Sequence, residues 1–296
     1  MDKQMRSETR LPSLKNVMVV YHPSLREAKI EGEKVSEYLT NRGLVLVCKS
    51  FSDHELQPAI TSLQPDLIIA LGGDGTLLRV GRICAPLKLP ILGINVGRMG
   101  FLYEVHHQEW ATRLDDLLSG DYRIEQRMML DVELLNKDHN RGNWTVLNDA
   151  FVGRGGVVRP IQITASVDDY LLTSYMADGL IAATATGSTA YALAAGGPIL
   201  PPDLRNILII PVAPHLSIDR GIVLGEGVSV TISVSSTHGA VLSLDGQPAV
   251  SLNDGDRIRV TASKHALSLI RFEGPGYFYH ILSKYMENNP ITGNHR

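Results

Sequence analysis

Asp74 is the residue of this chain with the plainest chemical use. It stands inside Gly72-Gly-Asp-Gly-Thr76. Glycines around a carboxylate let backbone N–H groups approach a ligand in conformations that a Cβ would forbid. The run before it, Asp66-Leu-Ile-Ile-Ala-Leu71, is short and apolar and reads as a strand buried on both faces. The run after it, Leu77-Leu-Arg-Val-Gly-Arg82, reads as the start of a helix. Strand, glycine turn and helix N-terminus make an anion-binding concavity. A P-loop would end in Gly-Lys-Ser/Thr and answer the phosphate charge with lysine. Here Asp74 adds negative charge instead. A carboxylate beside phosphates either holds a cation or takes a proton from the group that attacks phosphorus, and both roles belong to phosphoryl transfer. The bland reading is a tight turn with Asp74 as helix N-cap.

Three further constellations lie downstream. Asp178-Gly-Leu-Ile-Ala-Ala-Thr-Ala-Thr-Gly-Ser-Thr-Ala-Tyr191 runs from a buried strand into a stretch dense in small hydroxyl residues that opens a helix. Small side chains admit a flat ligand, hydroxyls such as those of Thr186 and Thr189 donate to phosphate or ribose, and Tyr191 can pack on a base. The bland reading is a strand-to-helix turn with Ser188 as N-cap. Leu147-Asn-Asp-Ala150 sets an amide beside a carboxylate. Adjacent strand residues face opposite sides, so Asn148 and Asp149 serve one site only at a strand end or bulge. A hairpin turn is the alternative there. Leu244-Asp-Gly-Gln247 reads as a tight turn with Gln247 able to bond a ligand amide. Gly153-Arg-Gly-Gly156 reads as a hairpin turn, with Arg159 just beyond as positive charge for an anion.

These residues need elements to hold them. Residues 1–13 read as a loose leader. Strands are expected at Val17–Tyr21, Leu44–Cys48, Asp66–Leu71 and Pro90–Ile94, and helices at Ser24–Arg42 and Glu109–Leu118, with Leu56–Leu63 helical or irregular. Such alternation implies a parallel sheet with crossover helices. Ligands of these sheets sit at the C-terminal strand ends. Asp74 and Asn95 both lie there and are expected to face one site. From Met128 to Arg271 the pattern changes to short strands, among them Trp144–Val152, Val157–Val167, Arg257–Ala262 and Leu267–Phe272. Turn signals such as Asp168-Asp169 and Asn253-Asp-Gly-Asp256 separate them. One helix, Ser188 to about Ala195, interrupts them. The fold class expected is an N-terminal Rossmann-like α/β domain, 14–125, and a C-terminal β-sandwich-like domain, 126–272. A helical tail, 273–290, packs back on the first.

Bulk properties narrow the class. Length 296, 44% hydrophobic and 20% charged residues describe a globular chain with material for a full core. A net charge of −3 argues against a general nucleic-acid binder. Cys48 and Cys84 make no disulfide or zinc framework and read as buried thiols. Residues 1–10 lack a signal-peptide core, and no apolar run approaches a bilayer span, so a cytoplasmic protein is expected. No histidine is assigned to chemistry, and the His106-His107 side chains are expected to point apart.

In order along the chain, Gly72-Gly-Asp-Gly-Thr76, Asn95-x-Gly-x-x-Gly-Phe-Leu102, Asn148-Asp149, Asp178-Gly179, Thr186-Gly-Ser-Thr-Ala-Tyr191, Gly196-Gly-Pro198 and Asp245-Gly-Gln247 resemble the NAD kinase family, over about Val17 to Tyr285. The resemblance implies phosphoryl donation from ATP, or polyphosphate, to the adenosine 2′-hydroxyl of NAD, giving NADP. It implies a site between an α/β and a β domain, and a homodimer or homotetramer in which a neighbouring subunit completes the site. Asp74 resembles the family's proton acceptor. Gly75 and Arg79, with Gly73 and Thr76 beside them, look like nucleotide contacts. Asn148 and Asp149 resemble the pair that holds the dinucleotide, and Arg159, Asp178, Thr189, Ala190, Tyr191, Ala194 and Gln247 fall at binding positions. Ala185 stands where proline is frequent, Met99 replaces a usual leucine, and Met176 stands where many members carry a charge that influences dinucleotide choice. Mg²⁺ is expected mainly through the donor phosphates, with no protein cage. Two other readings are a lipid or sugar kinase sharing the glycine loop, which the hydroxyl run and Asn148-Asp149 oppose, and a non-catalytic dinucleotide sensor, which would not need Asp74.

Overall fold

In the computed structural model the first β-branched run forms β1 (Asn16–Tyr21), with Val17, Met18, Val19 and Val20 all buried. A strand apolar on both faces needs a cover on each side. The covers follow in order: α1 (Arg26–Thr40), β2 (Val45–Lys49), α2 (Asp53–Leu63), β3 (Leu67–Gly72), α3 (Asp74–Cys84), β4 (Ile91–Asn95), a two-residue β5 (Val105–His106) and α4 (Trp110–Ser119). The structure describes residues 11, 14–50, 53–97, 100–136, 139–156, 159–215, 219–236 and 238–287. The expected leader, apart from Leu11, the expected strand start at 157–158, Met99 and Asn288 lie outside them. The chain divides into unit 1, Met1–Gln126 with Leu267–Arg296, and unit 2, Arg127–Ala266.

Unit 1 is the α/β part. Its strands run parallel in the order β4-β3-β1-β2, with β5 on the far side of β4. Val17, Val19, Leu67, Ile69, Leu71, Leu92 and Ile94 pack on Ala28, Val35 and Leu39 of α1 and on Leu114 and Leu117 of α4. The alternate side chains face the other way, where Gly93 abuts Leu77 of α3 and Tyr103. The connection from β1 leads outward to β2, and the next returns across β1 to β3. The strand order therefore reverses between β1 and β3, where open α/β sheets hold their ligands. α2 is fully helical, which removes the irregular alternative. The two histidines do not point apart: the strand ends at His106, and the turn brings the rings to 4.3 Å between centroids. Cys84 is buried as expected, whereas Cys48 is only half-buried. No helix among the described residues is long and apolar enough to cross a membrane.

β6 (Arg123–Asn136) carries the chain into unit 2. There follow β7 (His139–Val146), β8 (Asp149–Arg154), β9 (Ile161–Val167), β10 (Tyr170–Ala177), β11 (Gly179–Ala183), a 3₁₀ turn (Thr186–Thr189), α5 (Tyr191–Ala194), β12 (Asn206–Val212), β13 (Ile222–Gly225), β14 (Ser229–Ser235), β15 (Ala240–Leu244), β16 (Val250–Leu252) and β17 (Asp256–Arg271). β17 leads back to unit 1, where α6 (Tyr277–Glu287) ends the described chain. Within unit 2, antiparallel β10-β9-β14-β17 face a second sheet of order β13-β12-β11-β8-β15-β16. Leu130, Ile163, Val230 and Val260 from one sheet and Val152, Leu180, Ile209 and Leu242 from the other share one core. This is the expected sandwich.

Several element expectations change. Trp144–Val152 is two strands, because the partner changes: β7 pairs with β6, whereas β8 pairs with β11 and β15. Arg257–Ala262 and Leu267–Phe272 are one strand, whose polar Ser263-Lys264-His265 middle hid its continuity. Through Leu269, paired with Ile91, its end belongs to unit 1. Gly153–Gly156 is not a hairpin turn, since β8 and β9 lie in different sheets. The helix expected from Ser188 is a 3₁₀ turn followed by the short α5.

Candidate active site

In unit 1, β3 ends at Gly72 and α3 begins at Asp74, with Gly73 as its N-cap residue. Asp74 is therefore the first residue of the helix and does not cap it. Its carboxylate turns to the second glycine turn instead, where a Cβ on Gly100 would lie 2.1 Å from Oδ2 and 2.4 Å from Oδ1. A side chain at Gly100 would force the carboxylate to move, so glycine leaves the room in which it sits. Burial raises the Asp74 pKa, opposed by the backbone N–H groups of Leu102 and Phe101 and by the charge of Arg271. Asp74 Oδ1 is buried without a hydrogen-bond partner. Asn95 is paired in register with Gly72, so the two turns leave neighbouring parallel strands at one end.

The loop glycines divide by role. A Cβ on Gly72 would fall 2.2 Å from Thr76 Oγ1, so Thr76 leans over the strand end. On Gly73 or Gly75 a Cβ would meet nothing within 4 Å. Those two leave open space beside the backbone rather than relieving strain. Tyr103 donates its hydroxyl to Gly73 O at 3.0 Å and holds the loop from below. A cavity of about 220 Å³ opens alongside, lined by Tyr21 at the end of β1, His22 just after it, and Gly75, Thr76 and Arg79 of α3. It lies where the strand order reverses.

In unit 2 the break between β7 and β8 presents Asn148 and Asp149. The Asp245 carboxylate accepts N–H bonds from Leu147, Asn148 and Asp149 at 3.0, 2.8 and 3.2 Å. Asp245 and Gly246 have φ of 48° and 68°, and Gln247 N–H bonds Leu244 O at 2.9 Å. The tight turn expected at Leu244–Gln247 thus anchors the Asn148-Asp149 break. Burial first, then the neighbouring Asp245 charge, raises the Asp149 pKa to about 7, with the Tyr191 N–H opposing. Gly187 lies so close to Asn148 that a Cβ would be 2.1 Å from Asn148 O.

The hydroxyl run is used differently from the expectation. Thr184 Oγ1 donates to Leu147 O at 2.6 Å and accepts from Gly187 N–H at 3.0 Å. Ser188 donates to Ala185 O at 2.6 Å and accepts from Leu200 N–H at 2.9 Å, and Thr189 donates to Thr186 O at 3.0 Å. These hydroxyls build the turn. Thr186 accepts from Arg127 at 3.3 Å. Tyr191 is 44% exposed with its ring 5.3 Å from that of Phe151, forming a small aromatic shelf, and Ala190 and Ala194 flank it.

The remaining residues sit elsewhere. Asp178 precedes β11, whose register pairs Gly179 with Gly153 and Ala183 with Asp149. Four residues of strand, about 13 Å, separate that end from Asp149. Asp178 is bound by Arg154 Nε at 3.0 Å. Arg159 is exposed at the start of the path into β9. Unit 1 thus brings together Gly73, Asp74, Gly75, Thr76 and Arg79. Unit 2 brings together Asn148, Asp149, Thr186, Thr189, Ala190, Tyr191, Ala194 and Gln247, but not Asp178 or Arg159. Gly100 and Asp245 lie inside the sequence motifs, but their roles are invisible there, since close approach and backbone capture have no signature in residue type. Among the described residues no three His, Cys, Asp or Glu side chains gather as ligands for an ion. Oxygen ligands suit Mg²⁺, and the buried Asp74 oxygen without a hydrogen-bond partner is of that type.

Residues 17–122 match the ATP-NAD kinase N-terminal domain family, and residues 147–272 match the ATP-NAD kinase C-terminal domain family. The chain is 38% identical over 278 residues to the NAD kinase of Heliobacterium modesticaldum, covering 92% of this chain and 98% of that protein. It is 39% identical over 254 residues to the NAD kinase of Geobacter metallireducens, covering 84% and 90%. An NAD kinase from Archaeoglobus fulgidus in complex with ATP is similar at TM-score 0.71 and 26% identity, covering 91% of this chain and 98% of that one. Yeast NADH kinase complexed with NADH shares the fold at TM-score 0.82 and 23% identity, covering 96% and 90%.

Proposed function

The chain belongs to the NAD kinase family, and from that membership we propose how it phosphorylates NAD with ATP, with Asp74 as proton acceptor. The carrying observation is the Asp74 carboxylate: one oxygen is buried without a hydrogen-bond partner, at the mouth of a glycine loop on a helix N-terminus. A secondary hydroxyl is a poor nucleophile at neutral pH. An acceptor whose pKa is raised by burial takes its proton more readily as attack on the γ-phosphorus proceeds. The open space at Gly73 and Gly75 lets loop N–H groups reach phosphate oxygens. Mg²⁺, which the donor phosphates would hold, would supply charge neutralisation at their oxygens.

In unit 2 we assign the adenosine and ribose contacts to Asn148, Asp149 and the Tyr191 shelf, with Gln247, Thr186, Thr189, Ala190 and Ala194 around them. Asp178 and Arg159 are assigned to more distant parts of the dinucleotide. Gly75 and Arg79, with Gly73 and Thr76, are assigned to the nucleotide phosphates. We also infer a homo-oligomer acting in the cytoplasm, on the support of the family resemblance and the composition; sedimentation of the purified protein checks the first.

Incubation with NAD, ATP and Mg²⁺, with polyphosphate in a parallel arm, is expected to yield NADP. Asp74→Asn is expected to keep NAD binding while turnover drops by roughly two orders of magnitude or more. Unimpaired turnover in that variant would remove Asp74 from the acceptor role.

A further inference from the structure

Arg271 ends β17 and is buried, with 6% of its surface exposed. A buried guanidinium needs acceptors for its fork of donors. Nη1 donates to Leu102 O at 3.0 Å and Nε to Glu125 Oε1 at 3.2 Å. Leu102 closes the second glycine turn, whose Gly100 abuts the Asp74 carboxylate and whose Phe101 and Leu102 N–H groups face it. Two residues on, Glu104 accepts the N–H groups of Phe272 and Glu273 at 2.8 Å each. The turn is thus tied to the strand end on both sides of the guanidinium. From outside, the Phe101 ring packs on Tyr285 at 4.9 Å and on Phe278 at 6.3 Å, both from α6.

We propose that Arg271 is a positioning residue for the phosphoryl transfer, pinning the Gly100–Leu102 turn so that it presses the Asp74 carboxylate into place. This rests on Asp74 being the proton acceptor. Among the described residues, the charged and titratable groups bearing on Asp74 are Arg271 from β17 and Tyr103 from the turn; Glu104, Glu125 and Tyr277 surround Arg271 in turn. Arg271 opposes the upward effect of burial on Asp74. Its loss therefore moves the acid limb of turnover to higher pH.

The test compares Arg271→Gln, Arg271→Lys, Glu125→Gln and Asp74→Asn. Arg271→Gln is expected to lower kcat roughly tenfold to a hundredfold with KM for NAD unchanged, and to move the acid limb to higher pH. Arg271→Lys keeps the charge and restores the limb, but only part of kcat, because one ammonium cannot span both acceptors. An unmoved limb, or full kcat in Arg271→Gln, overturns the proposal. If that variant does not fold, the other two decide: wild-type kcat in both Arg271→Lys and Glu125→Gln overturns it, and a lowered kcat at constant KM in either supports it. Full turnover in Asp74→Asn would instead remove the acceptor assignment itself.

Discussion

At Gly100 a single methyl group decides whether the Asp74 carboxylate can stay where it is. An added Cβ would lie 2.1 Å from Oδ2, closer than any real contact. Gly100→Ala is expected to lower kcat by about two orders of magnitude, since small displacements of a reacting group are that costly. Gly73→Ala is the control: its backbone is extended and its Cβ would meet open space. Its thermal unfolding is expected to match the wild type, while its turnover falls because the loop loses room for phosphate. Asp149 carries a different signature. Its folded pKa, about 7, lies above its ordinary value, so the folded chain holds an extra proton between about pH 4 and 7. Stability contributed by this group is complete below that window and is lost as pH rises through about 7. Asp149→Asn is therefore expected to raise Tm relative to wild type more at pH 8 than at pH 5, which calorimetry at the two pH values checks. A wild-type advantage growing with pH would contradict it.

At the scale of elements, the unit 2 site is a strand break held by two turns. Asp245 captures three successive N–H groups on one side of it, and Thr184 ties Leu147 O to Gly187 N–H on the other. Thr184→Val preserves shape and removes both bonds in a fully buried position. It is expected to cost about 1–3 kcal/mol in denaturant unfolding and to raise KM for NAD more than it lowers kcat. A pure kcat effect would show that the turn does not shape the dinucleotide site. The break was half legible: side-by-side Asn148 and Asp149 require a strand end to serve one site, and a strand end is there. The hydroxyl run misled, because residue type shows which groups can donate and not whether a carbonyl of the same turn already accepts.

At the scale of the molecule, two units each close their own core and each hold their own part of the assigned chemistry. A ligand that binds only the folded chain stabilises it by about 2.7 kcal/mol at one hundred times its Kd. NAD is expected to raise Tm in the wild type and in Asp74→Asn alike, and to do so far less in Asn148→Ala. Equal shifts in all three would separate dinucleotide binding from unit 2.

What the sequence determined by itself was periodicity and composition: parallel strands with helices on both faces, then alternating strands of a sandwich, and a carboxylate among glycines where a strand meets a helix. Those follow from local sterics and from the need to bury apolar faces, and both are written residue by residue. Tertiary structure alone decided which backbone approaches which side chain. Gly100 against Asp74, Asp245 beneath Asn148 and Arg271 on Leu102 O join residues 26, 97 and 169 positions apart. Only the folded chain brings such pairs within a hydrogen bond or a methyl radius, so their roles stay silent in a linear reading.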